Sequence, residues 1–388
     1  MNTGRIIVSA LAASILAIPA MADAPGYFQV PGTETTLKLY GQIQLREAYG
    51  FKGDGMNYDL TARSGANEKQ QQTGQWGGSW RYYMGVTTTT PSSFGDVTTT
   101  IYGRFKHNSG TASGQDVKFN LERAFVQVGG LKVGTDWSMF GDNAWEPNTL
   151  FGCVSDENGS WANVRQLAYK FSPAKGLDLG IALEAYNPGT AASTDNGTNP
   201  GLSGVVAFSQ DWGGVTLAAN YQKKKNWTNA GNDASGTGTS LFLSGGFNIT
   251  SNDQLTAMIL RGGEGYGSNN DGFFVESPTS FGFYKSTAMN LSYTHTWNDQ
   301  FSSALTVAQI KWPKDTANGV SQDFKVTEFI ANTTWQMTKT VSFGLEYQHG
   351  EMKASDANAF SSTSNALLVD SKTNKLDQIR MKLKATLW

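Results

Sequence analysis

The 388-residue chain carries 30 Lys plus Arg against 32 Asp plus Glu, a formal net charge of −2 that offers no basic excess to a nucleic-acid partner. Its one cysteine, Cys153, excludes an internal disulfide. Beyond residue 22 no stretch approaches the ~20 consecutive apolar residues of a spanning helix, so a mature chain that crosses a membrane must do so with strands.

Residues 1–22 read as a secretory signal peptide. Arg5 gives a positive start, residues 6–19 are apolar, and Ala20-Met21-Ala22 fits a small-x-small cleavage site. The expected mature domain is 23–388. From residue 36 onward, sixteen runs of about ten residues alternate at period two, the length of a tilted spanning strand. They cover 36–50, 79–90, 97–107, 117–128, 131–141, 164–172, 177–186, 202–211, 215–223, 239–250, 255–262, 286–297, 301–312, 326–337, 341–350 and 375–388. In the first, Leu37, Leu39, Ile43 and Leu45 alternate with Lys38, Tyr40, Gln42, Gln44 and Arg46. In the last, Ile379, Met381, Leu383 and Ala385 alternate with Arg380, Lys382 and Lys384.

The connections alternate short and long. Short ones such as 91–96, 129–130, 173–176 and 212–214 are built from the tight-turn formers Gly, Asn, Asp, Pro and Ser. Long ones such as 51–78, 142–163, 187–201 and 263–285 are polar. That asymmetry is the pattern of an all-β, sixteen-stranded antiparallel transmembrane β-barrel, with short periplasmic turns and long external loops. Soluble sandwiches also alternate, but they turn the polar face to water and have no reason to keep strict short–long order. Trp80, Tyr82, Tyr221, Trp297, Trp335 and Tyr347 lie near strand ends on the apolar parity, as interfacial aromatic belts do. In 117–128 the apolar parity switches between Leu121 and Ala124, which points to a bulge or a subunit interface. Run 202–211 is apolar on both parities, and its faces are left unassigned.

Two motifs carry a family resemblance. Residues Gly26-Tyr27-Phe28-Gln29-Val30-Pro31-Gly32-Thr33-Glu34-Thr35, running into Leu37-Lys38-Leu39-Tyr40-Gly41, resemble the start of mature alphaproteobacterial porins. Arg123-Ala124-Phe125-Val126-Gln127-Val128-Gly129-Gly130-Leu131-Lys132-Val133-Gly134 resembles a later porin hairpin. The resemblance implies a homotrimeric general porin of a Gram-negative outer membrane, in contact with outer-membrane lipid and lipopolysaccharide. It also implies a third external loop, here about 142–163, folded into the pore.

Nothing in the chain reads as catalytic. His107, His295 and His349 have no metal-ligand partner at a useful spacing, and no nucleophile motif or phosphate loop is present, so no metal or cofactor is expected. The lumen holds the candidate site. With the polar parity inward, Arg46, Arg81, Arg104, Arg380 and Lys382 fall on adjacent strands and form a basic arc. Asp142, Glu146, Asp156 and Glu157 belong to the third loop and would face it, which sets a transverse field across a narrow pore. Phe140, Trp145, Phe151 and Trp161 argue that this loop packs, with Cys153 in the packing. The expected function is passive diffusion of small hydrophilic solutes and ions. A substrate-specific channel is the alternative, for which Tyr40, Tyr83 and Tyr102 form a short inward aromatic track; a non-conducting barrel acting as adhesin or scaffold is the third reading.

Overall fold

The computed structural model describes residues 26–53, 75–108, 118–142, 144–153, 163–186, 200–226, 234–263, 274–277, 280–283, 285–313, 323–354 and 373–387. The signal segment 1–22 and loop residues Asp156, Glu157 and Trp161 lie outside the described residues.

The described strands are β1 (Tyr27–Gln29), β2 (Thr36–Gly53), β3 (Gln75–Thr90), β4 (Val97–Asn108), β5 (Lys118–Val128), β6 (Leu131–Trp137), β7 (Asn163–Ala174), β8 (Leu177–Tyr186), β9 (Gly201–Gln210) and β10 (Gly213–Asn226). They continue with β11 (Ala234–Asn248), β12 (Asp253–Gly263), β13 (Phe274–Ser277), β14 (Ser280–Phe283), β15 (Lys285–Thr296), β16 (Phe301–Trp312), β17 (Phe324–Gln336), β18 (Val341–Ala354) and β19 (Thr373–Thr386). Sixteen of them, β2 to β12 and β15 to β19, pair antiparallel with their chain neighbours, and β19 returns to β2 to close the ring. Each of the sixteen runs read from the sequence falls on one of these strands, but the fifth, 131–141, overruns its strand: that strand ends at Trp137 and Met139–Gly141 form a 3-10 turn, because Ser138 and the Met139 amide turn to bond Glu184. The short β1 and the β13–β14 hairpin, inside the 263–285 connection, are additional.

Closure leaves no free edge, and the pleat sorts side chains to two surfaces. Leu217 is 51% exposed while its neighbours Thr216 and Ala218 are each 1% exposed; Leu305 and Thr306 repeat the contrast. The exposed residues are the large apolar ones, and buried Ser203, Ser244, Asn290 and Ser292 are polar, the inverse of a soluble protein. Gly129 and Gly176 adopt φ of 55° and 76° in the β5–β6 and β7–β8 turns, a region that side chains with a Cβ rarely enter.

The parity switch in β5 is a bulge. Tyr102 pairs with Arg123 but the next residue, Gly103, pairs with Leu121, so Glu122 is the extra residue. A bulge sets two residues against one, and Glu122 joins Arg123 among the inward groups. The two-sided apolar strand is β9. Its outward Val206 and Phe208 face the surroundings, while Val205 packs inward with Ala182, Ala218 and Phe242 against Met139 and Phe140. The inner wall is apolar there because a piece of chain covers it.

Candidate functional site

That piece begins where β6 ends. Asp136 accepts from Arg123 Nε at 2.5 Å and Lys132 Nζ at 2.6 Å. The chain then turns through a 3-10 helix, η1 (Met139–Gly141), capped by the Ser138 hydroxyl, which accepts from the Phe140 amide. Buried Glu184 on β8 accepts from Ser138 Oγ at 2.9 Å, the Met139 amide at 2.6 Å and Ser203 Oγ at 2.6 Å. From there the described residues of 138–153 run across the lumen along successive inward groups. Phe140 lies 5.9 Å from Phe242. The Trp145 amide donates to Ser244 Oγ at 3.0 Å, and its indole covers Gly246, where a Cβ would collide with the ring. Asn148 donates to Ser292 Oγ at 3.3 Å, and its carbonyl accepts from Asn332 at 2.7 Å. Finally the Leu150 amide donates to Glu346 Oε2 at 2.7 Å, the Leu150 carbonyl accepts from Lys382 Nζ at 3.0 Å, and Cys153 is buried.

All five residues of the basic arc face inward on four contiguous strands, β19, β2, β3 and β4. Lys382 sits directly opposite Arg46, and Arg81 pairs with Gln44 and Lys106 on either side. Arg380 Nη2 reaches Glu346 Oε1 at 2.5 Å, and Arg104 Nε reaches Glu122 Oε1 at 2.7 Å. The Phe151 ring lies 5.3 Å from the Arg46 guanidinium and 5.1 Å from that of Arg380. Where acids of the loop were expected opposite the arc, the described loop presents an aromatic face and a carbonyl. Asp142 is ion-paired with Lys170 on β7 at 2.7 Å, and exposed Glu146 lines the same cavity of about 560 Å³ beside β5 to β8. The physical reason is position. Both acids follow η1 closely, while the segment meets the arc only at 150–151.

A family model described as Porin subfamily matches residues 21–379. The chain belongs to this porin family. Porin Omp2b of Brucella suis biovar 1 (strain 1330) is 29% identical over 221 residues, 52% of this chain and 55% of the relative, so the chain spans about half the length of the relatives it matches. In fold it is similar to the outer membrane channel DcaP of Acinetobacter baumannii, at a TM-score of 0.71, 15% identity, and coverage of 93% of this chain and 99% of that one. Salmonella typhi OmpF, solved in complex with daunomycin, follows at 0.64, 17%, 92% and 99%. As a porin with an outward apolar belt, the chain resides in the outer membrane of a Gram-negative bacterium.

Reading this porin by alternation alone missed Glu122, whose facing depends on the bulge. It missed Arg123, Lys132 and Asp136 as one ion cluster, and it missed the partners of Glu184 and Glu346. The parity switch at Leu121–Ala124 is the one local signal that could have found the first of these.

Proposed function

We propose that this porin is a water-filled channel for passive diffusion of small hydrophilic solutes and ions, narrowed by residues 138–153. The observation that carries the reading is the tether of that segment to Glu184 at one end and to Glu346 and Lys382 at the other, inside a ring of polar residues. Lys382, Arg46 and Arg81 at neighbouring positions make one side of the narrowing electropositive, so a weak anion preference follows. Recording in a planar bilayer tests the reading. Stepwise conductance in potassium chloride is expected; a silent bilayer from correctly folded protein supports the non-conducting alternative.

Features of the outer surface support the proposed partners. Beside exposed Met84 and Ile101, the outward faces of β2 to β4 carry Glu47, Gly41, Gly78 and Gly103, and Thr88 and Thr99, whose hydroxyls share a hydrogen bond of 2.6 Å. Such groups suit a subunit contact better than lipid, and support a homotrimer. On the far side, Arg261, Thr287, Lys311, Lys325 and Lys353 occupy one cross-strand row of β12 and β15 to β18, just past the apolar belt of Ile259, Val307 and Phe329. Cations at that level suit the phosphates of lipopolysaccharide. Replacing Lys311, Lys325 and Lys353 with Glu should reduce lipopolysaccharide retained on purification; unchanged retention removes the row from the lipid contact.

A further inference from the structure

We propose that the inner wall of β2 to β4 is a binding platform for small flat-ringed carboxylates, aromatic carboxylates above all. The proposal rests on the diffusion reading for access, and gives the lumen a solute preference that diffusion alone does not supply.

Tyr40, Tyr83 and Tyr102 are inward and half-buried. Tyr40 and Tyr102 lie on either side of Gly85 in one cross-strand row, and their rings lean together over it, 5.7 Å apart and 16° from parallel. A Cβ at position 85 would strike both rings, so the glycine is what lets them meet. Tyr83, two residues along β3, lies 5.9 Å from Tyr102 at 18°. Three near-parallel rings thus form one offset stack on a wall that is elsewhere Thr, Gln and charge.

Cations border this stack at its ends. Lys38 Nζ lies 5.8 Å from the Tyr40 ring and 4.9 Å from that of Tyr27, and no carboxylate among the described residues pairs with it. At the other end Arg104 sits directly opposite Tyr83 across the β3–β4 pair, and Arg81 lies two residues from Tyr83 along the same face of β3. Arg123 adjoins Tyr102 in the same row, and its guanidinium lies 4.7 Å from the Trp137 ring and 5.3 Å from that of Phe125, leading into the cavity beside β5 to β8. A ring that extends this stack meets a π-face, and a carboxylate on that ring meets Lys38 or Arg81. A neutral sugar gains only the first contact and an inorganic anion only the second.

Benzoate and terephthalate are the probes, with cyclohexanecarboxylate, benzyl alcohol and glucuronate as comparisons. In bilayers, terephthalate should produce resolved blocks of the potassium chloride current. Tyr102→Leu should shorten them by roughly 2- to 10-fold, the range of an aromatic pair, while Tyr102→Phe preserves them. Isothermal titration of benzoate into folded protein in detergent should show the same order without reference to current. Loss of potassium chloride conductance alone overturns the diffusion reading and leaves titration to decide the platform. Equal binding of cyclohexanecarboxylate or benzyl alcohol, tighter binding of glucuronate, or an unchanged Tyr102→Leu variant overturns the proposal.

Discussion

Glu346 and Leu150 stand 196 residues apart in the chain, yet the carboxylate takes the Leu150 amide at 2.7 Å and so pins the end of the inner segment to β18. The same carboxylate also binds Arg380 at 2.5 Å and accepts from Asn332 at 3.2 Å. Glu346→Gln keeps the shape and removes the charge that holds Arg380. Larger and noisier single-channel conductance is expected. Both Glu346→Gln and Glu346→Ala leave the buried Arg380 guanidinium without its counter-charge, at a cost of roughly 3–5 kcal/mol, and Glu346→Ala also removes the acceptor of the Leu150 amide and Asn332. Unaltered conductance in both variants would show that Glu346 does not hold the segment.

Cys153 reports on the same segment from a position 4% exposed. A maleimide should label it slowly in the folded barrel and quickly after denaturation, since only an accessible thiolate reacts. In Glu346→Gln the native labelling rate should rise. Rapid labelling of the unaltered barrel contradicts the burial on which the segment's path depends.

Charge at the arc should set ion preference. Arg81→Gln with Lys382→Gln removes two neighbouring cations without breaking an ion pair to a buried acid. The zero-current potential in a salt gradient should move towards cations. The shift should shrink as the Debye length falls from ~10 Å at 0.1 M to ~3 Å at 1 M. An unmoved potential at low salt takes these residues out of the narrowing.

The outer face should punish charge. Leu305→Arg places a cation in the apolar belt and should cost roughly 2–4 kcal/mol if near the bilayer midplane. Gln127→Arg enters the lumen cavity and should fold normally. Urea titration of both variants in lipid vesicles measures the difference; equal destabilisation would reverse the facing assigned to one of the two strands.

The strands were legible because alternation is local: Leu217 against Thr216 states its facing without knowledge of the rest of the chain. The path of 138–153 was not, because its direction is set by hydrogen bonds to Glu184, Ser244, Ser292 and Glu346, residues scattered over four strands. For the same reason Asp142 and Glu146, read as opposing the arginines, lie beside Lys170 and the β5 to β8 cavity. Apolar residues on both parities of β9 were an unread sign of that path, since an inner wall needs Val205 only where chain covers it. β1 and β13 are three and four residues long, too short for a period to declare itself.

The seam joins the first barrel strand to the last, and it also carries one end of the inner segment: Lys382, on β19, holds the Leu150 carbonyl. Such distant pairing is the slowest kind to form. Any assembly intermediate with β19 undocked therefore lacks both its final wall and that latch, and is a gaping, sticky half-cylinder rather than a sieve. Sealing the wall and setting the bore are thereby one event, so a newly inserted copy reaches its final aperture at the moment it stops being a leak.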